Sequence, residues 1–269
     1  MSDREPVTLL KLGGSVITRK GNPETVDRAA LEDAAGAIGA ADGGRFILVH
    51  GGGSFGHHHA DRHGVTQTVG SSEPDALFDV HDAMKRLNAS VVDALRAHGV
   101  PAAPVHPFSM AERDRDGGLS AQTAHLGTML AEGFTPVLHG DVVVHRGKGV
   151  TVLSGDELVV ELARGLDADR IGLCATVPGV LRDGTVIDRI DSFEAVADVL
   201  GDSDATDVTG GMAGKVRRLL DLPTPASIFG PEELSAFVAG EFVGTLVGGN
   251  EGNGGDGGTD PTDYTDGHI

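Results

Sequence analysis

The 269-residue sequence holds one cysteine, one tyrosine, no tryptophan and only five lysines. The lone Cys174 excludes an internal disulfide framework and a thiolate-rich metal cage. No apolar run reaches the roughly 18 residues that a membrane-spanning helix needs. The opening Met1-Ser2-Asp3-Arg4-Glu5 has neither a basic nor an apolar stretch, so no secretory signal and a cytoplasmic location are expected. Basic side chains number 21 against 40 acidic ones, a formal charge of −19. A field of that sign repels nucleic acid and anionic membrane surfaces, so generic binding to either is excluded. We read the acidic excess as suited to a salt-loving cytoplasm, because a Debye length of about 3 Å at 1 M salt mutes self-repulsion. The fold and activity should therefore persist in molar KCl, which thermal melts across a KCl series would check.

What is present suffices for a core: apolar residues make up 39% of the chain. Short β-rich runs alternate with helical patterns. Val7–Leu12 and Phe46–Val49 read as buried strands that stop at glycines, with a helix over Pro23–Ile38 between them. Ser72-Glu73-Pro74-Asp75 opens the longest amphipathic helix, and Leu77, Val80, Met84, Leu87, Val91 and Leu95 recur along it until Gly99. A helix over Ala121–Glu132 precedes strands at Thr135–Leu138 and Val142–His145. Ser154-Gly155-Asp156-Glu157 is a second capping box. After it come a strand at Ile171–Ala175, a helix at Met212–Leu220, and late strands at Ser227–Phe229 and Thr245–Val247. The alternation predicts an α/β fold, an open and mainly parallel sheet sandwiched between helices. One domain over residues 1–247 is expected. The Gly-rich, acidic segment 248–269 has too little apolar surface to offset its ordering entropy and is read as a disordered tail.

Three glycine loops carry the functional signal. Lys11-Leu12-Gly13-Gly14-Ser15 and His50-Gly51-Gly52-Gly53-Ser54-Phe55-Gly56-His57 each follow a predicted strand, and Thr209-Gly210-Gly211-Met212-Ala213-Gly214-Lys215 leads into a helix. Glycine lets backbone amides approach a phosphate, and a helix N-terminus adds a favourable dipole. Any one of these loops also fits a tight turn; three, two of them with a lysine, favour a nucleotide. Gly51-x-Gly53-x-x-Gly56 matches the dinucleotide fingerprint literally. We discard that match because residues 57–64 do not read as a helix and no strand ends in an acid about 20 residues on. Gly214-Lys215 lacks the first glycine and the hydroxyl residue of a P-loop. The run His57, His58, His59 with His63 is read as an exposed, flexible tract in preference to a metal site.

In this order, the loops resemble the amino acid kinase family over about residues 7–247. Lys11 through Thr18 with Lys20, the His50–His57 loop, Pro136-Val137-Leu138-His139-Gly140-Asp141 and Leu153-Ser154-Gly155-Asp156 resemble its isopentenyl phosphate kinase branch. The resemblance implies transfer of the ATP γ-phosphoryl group to isopentenyl phosphate. It also implies Mg²⁺ accompanying ATP and a homodimer. An acceptor-binding half at about 1–150 and an ATP-binding half at about 151–247 follow from it too. By resemblance, Lys11 and Lys215 flank the transferred phosphate, Lys20 reaches the nucleotide phosphates, and His57 hydrogen-bonds the acceptor phosphate. Asp156 orients the two lysines, and Ser154 and Gly155 touch the acceptor. Leu12, Gly13, Gly14, Ser15, Gly53, Thr176 and Gly211 join the ATP site, with Gly52 and Gly53 also facing the acceptor. The bland reading of Asp156 is an acid in a helix's first turn. The isopentenyl tail implied by the resemblance needs an apolar pocket that Leu77, Val80 and Met84 would help to wall; core packing is the stronger reading of these three, so they are left out of the site. The family's Thr-Asp-Val-Asp-Gly-Val-Tyr stretch is here Ala175-Thr176-Val177-Pro178-Gly179-Val180-Leu181, without its two acids and tyrosine. A kinase of another small phosphate, phosphonate or carboxylate acceptor, or a non-catalytic nucleotide-binding protein on the same fold, remains the alternative.

Overall fold

Strands and helices alternate along the computed structural model, which describes residues 5–41, 44–200 and 211–249. The chain runs β1 (Val7–Leu12), α1 (Gly14–Ile17), α2 (Arg28–Gly39), β2 (Arg45–His50), α3 (Gly53–His63) and α4 (Pro74–Ala97). It continues through β3 (Ala102–Pro104), β4 (Ala111–Arg113), β5 (Leu119–Ala121), α5 (Ala124–Ala131), β6 (Thr135–His139), β7 (Asp141–His145) and β8 (Gly149–Leu153). Then come α6 (Gly155–Gly165), β9 (Arg170–Cys174), β10 (Leu181–Arg182), β11 (Thr185–Val186), β12 (Arg189–Ile190) and α7 (Ala197–Leu200). Last are α8 (Gly211–Leu220), β13 (Ala226–Phe229), α9 (Leu234–Val238) and β14 (Thr245–Val247). Thr209, Gly210 and the 250–269 part of the expected tail lie outside the described residues.

The main sheet has the order β12-β14-β13-β9-β1-β2-β6-β3, and every neighbour pair except β13/β14 is parallel. Helices cover both faces, as the alternation predicts. Leu10, Leu12 and Leu48 pack with α2, α4 and α9, while Leu9, Ile47, Val49 and Leu173 pack with α5, α6 and α8. Because side chains alternate along a strand, Lys11 falls on the same face as Val7 and Leu9, the one that α6 covers. A second sheet, β5-β4-β7-β8, branches off where Gly140 interrupts the chain between β6 and β7.

Three expectations are corrected. The helix expected over Pro23–Ile38 begins only at Arg28, because Asp27 caps it and a Thr18–Val26 bridge holds the preceding residues in a loop. The helix expected from Ala121 begins at Ala124, since Leu119–Ala121 pairs with β4. The histidine run is not a loop, although His57 and His58 are exposed as expected. It lies in α3, whose Phe55, His59 and Ala60 are buried and which Gly64 ends at φ +63°. Its tertiary contacts stabilise a stretch with little apolar periodicity. The helical ground for discarding the dinucleotide fingerprint therefore fails. The other holds, because the place for the acid falls inside α4.

Parallel strands β2 and β6 end in buried histidines. The ring of His50 meets Asn88 Oδ1 at 3.1 Å and the Gly51 carbonyl at 3.2 Å, and stacks 5.6 Å from His139. His139 in turn meets His106 at 2.9 Å, and His81 pairs with Asp141 at 2.8 Å. Burial pushes His50 down to about 4 from 6.5, and lowers His139 and His106 too. The unfolded chain thus binds the more protons between those values, so stability is full above pH 6.5 and lost as pH falls towards 4. For His50 alone this amounts to about 3 kcal/mol. The melting temperature is expected to drop on acidification from pH 7 to 5, and His50→Gln should make that drop shallower.

Candidate active site

The carboxyl ends of four neighbouring parallel strands open into a cavity of about 310 Å³. Its lining begins with the residue after each strand: Gly13 after β1, Gly51 after β2, Gly140 after β6 and Ala175 after β9. It lies where strand order reverses about β1, the place where open α/β sheets bind ligands. Helices α3 and α6 start at its wall with Gly53 and Gly155, and α8 starts there with Gly211. Their N-terminal amides and dipoles favour an anion.

The two N-terminal glycine loops lie against each other. A Cβ on Gly14 would overlap the backbone of Gly53, and Gly53 itself sits at φ +49° with no room for a side chain beside Thr18. These glycines therefore permit backbone contact between the loops as well as an open amide surface.

One carboxylate gathers two lysines from distant parts of the chain. Lys11 Nζ donates to Asp156 Oδ1 at 2.5 Å, and Lys215 Nζ stands 3.6 Å from Asp156 Oδ2. Asp156 and Lys11 are each only 8% exposed. Burial opposes ionisation of Asp156, but Lys11, Lys215 and Arg218 prevail and hold its carboxyl well below the usual range. Asp156 therefore stays charged, and removing either charge from such a buried pair would leave the other unsupported. The Ser154 capping box, its hydroxyl accepting from Glu157 N at 3.1 Å, fixes the first turn of α6 that carries Asp156. Asp156→Ala is expected to destabilise the fold by about 3–5 kcal/mol, as loss of one partner from a buried ion pair does; urea denaturation would measure it.

Of the residues singled out from sequence, Lys11, Gly13, Gly14, Ser15, Lys20, Gly52, Gly53, His57, Ser154, Gly155, Asp156, Thr176, Gly211 and Lys215 all line this cavity. Leu12 does not. Its side chain is buried in the core by the strand's alternation, and only its carbonyl turns to the loop, accepting from Gly51 N at 2.9 Å. Lys20 and His57 are exposed at the cavity's edge. The sequence reading places Gly140 and Asp141 in a motif without giving them a role, does not single out Asp61, and leaves Val80 and Met84 out of the site as core; all five line the wall. Both readings hold for Val80 and Met84, which are buried and also line the cavity with Ala60 and Val152.

A family model described as the amino acid kinase family matches residues 6–223. The isopentenyl phosphate kinase of Haloferax volcanii is 60% identical over 90% of this chain and 99% of its own. That of Methanothermobacter thermautotrophicus is 36% identical over 79% of this chain and 85% of its own. A crystal structure titled "X-ray structures of isopentenyl phosphate kinase" superposes with a TM-score of 0.76 at 32% identity, over 89% of this chain and 98% of the other. The chain belongs to the amino acid kinase family. Within it, both of these relatives and the solved structure carry the name isopentenyl phosphate kinase.

Proposed function

We propose that the chain is a phosphotransferase that moves the γ-phosphoryl group of ATP onto isopentenyl phosphate, giving isopentenyl diphosphate and ADP. The observation that carries this reading is the Lys11–Asp156–Lys215 array in a glycine-walled cavity with His57 on its edge. Phosphoryl transfer asks mainly for positioning and for positive charge about the moving group. An ionised oxygen of the acceptor phosphate attacks the γ-phosphorus while the bond to the β-bridging oxygen breaks, and ADP leaves with that electron pair. No proton has to move. Lys11 and Lys215 balance the charge of the transferred group, Asp156 keeps them oriented, and the amides near Gly13, Gly14 and Gly53 hold the terminal phosphates. Lys20 and Gly211 serve the nucleotide, with Thr176 beside it, while His57, Gly52, Ser154 and Gly155 serve the acceptor phosphate.

The isopentenyl tail needs apolar walls, and Ala60, Val80, Met84 and Val152 supply them on the acceptor side. Asp156 is engaged by lysines and Asp141 by His81, so a Mg²⁺ ion would travel with ATP, held by phosphate oxygens and water. The acceptor half at about 1–150, the ATP half at about 151–247 and the homodimer belong to this same reading. No helix among the described residues is long and apolar enough to cross a membrane, in keeping with small-molecule substrates met in the cytoplasm.

An ADP-release assay in molar KCl tests the reading with isopentenyl phosphate, acetylglutamate, glutamate, aspartate and UMP as acceptors. Turnover with isopentenyl phosphate is expected. Turnover confined to a carboxylate or to UMP, or nucleotide binding without turnover, would overturn it.

A further inference from the structure

His59 lies two residues beyond His57, on a different side of α3. His57 edges the cavity, whereas His59 is buried and its Nε2 meets Glu24 Oε1 at 2.5 Å. The other carboxylate oxygen of Glu24 accepts from Arg86 of α4 at 2.7 Å, and Asp82 holds that guanidinium from one turn away. Glu24 belongs to the loop closed by the Thr18–Val26 bridge, across which Arg19 N donates to Thr25 O at 3.0 Å. Lys20 sits at the far side of this loop.

Further contacts seat the loop on the first turn of α3. Glu24 N donates to Ser54 O at 3.1 Å, Thr25 N to Ser54 Oγ at 3.2 Å, and Ser54 N to Thr18 Oγ1 at 3.0 Å. The backbone of Glu24 is left-handed, φ +48°, a strained conformation for a non-glycine residue that persists only where surrounding contacts impose it. The hydrogen bond from His59, more than the charge of Arg86, keeps the Glu24 carboxyl below its ordinary range, so Glu24 accepts as a carboxylate at neutral pH.

We propose that Glu24 is a positioning residue: clasped by His59 and Arg86, it holds the 18–26 loop so that Lys20 stays over the phosphate end of the cavity. The proposal rests on the reading that Lys20 serves the nucleotide. An exposed lysine on a free loop would occupy its working position only part of the time, and apparent affinity falls by that fraction.

The test combines limited trypsin digestion, which cuts after Arg19 and Lys20, with steady-state kinetics on Glu24→Ala, Glu24→Gln and Lys20→Ala. Glu24→Ala is expected to speed cleavage in the loop about tenfold and to raise the KM for ATP about tenfold, with the acceptor KM within about twofold of its original value. Glu24→Gln keeps the shape but only one of the two accepting oxygens, and should show smaller rises in both than Glu24→Ala. Unchanged cleavage and ATP KM in a folded Glu24→Ala protein would overturn the proposal, as would a rise confined to the acceptor KM. Should Glu24→Ala fail to fold, Arg86→Ala puts the same question from the exposed side of the clasp. An unchanged ATP KM in Lys20→Ala would remove the nucleotide role of Lys20, whereas the cleavage rates judge the clasp by themselves.

Discussion

Lys215→Ala is expected to lower kcat by about 10²–10³-fold, the loss seen when one preorganised charge is removed from a transition state. Lys215 lies on the second turn of α8, and its part-buried ammonium group stands 3.6 Å from Asp156 on the cavity wall. A charge held there needs no reorganisation as negative charge shifts towards the leaving oxygen. Ground-state ATP binding draws on other groups as well, so the ATP KM should move much less than kcat. The readout is single-turnover transfer at saturating ATP and acceptor. A kcat within about threefold of the original would show that Lys215 does not face the moving group. The Lys11–Asp156 pair survives this substitution, which separates a chemical defect from a folding one.

His57→Ala should lower kcat/KM for the acceptor by about 10- to 100-fold, the usual range for a lost hydrogen bond to a charged group. The ring stands one helical turn after Gly53, so the α3 amides and the imidazole present donors along one face. An imidazole N–H matches a phosphate oxygen, whereas the truncated side chain leaves water in that place. ATP affinity, measured by calorimetry without acceptor, should remain as it was. Equal losses for ATP and acceptor would place His57 in the nucleotide site instead. The ring is exposed, so stability should change little and the kinetic effect can be read directly.

Much of the fold is legible because its signals are local. Strands β1, β2 and β9 are apolar runs stopped by glycine or turn residues, and the structure places them within one residue of the expected bounds. The capping box at Ser154 announces α6, its hydroxyl accepting from a first-turn amide. Helix α4 instead starts on Pro74, which brings no N–H to satisfy, and the box expected from Ser72 does not form because Glu73 is the cap residue and makes no side-chain hydrogen bond. Helix α3 is not legible in this way. Its histidines and glycines carry no apolar period, and only burial of Phe55, His59 and Ala60 against neighbouring elements makes it a helix. Asp141 escaped for a related reason: its place in the cavity depends on the break at Gly140 between two sheets.

The sequence by itself determined the alternation of strand and helix, the glycine loops at strand ends and the lysines that stand in or beside those loops. Each follows from residue type and short-range spacing. The tertiary structure makes the meeting of Lys11, Asp156 and Lys215, which the family resemblance implies and local spacing does not. The strand's alternation turns Lys11 towards α6, and sheet order brings together residues 145 positions apart. It also decided that Leu12 faces the core and that neighbouring histidines divide their work, His57 at the cavity and His59 on the Glu24 clasp. Long-range contacts of this kind depend on which faces are buried against one another, a property of the packed whole that local spacing does not encode.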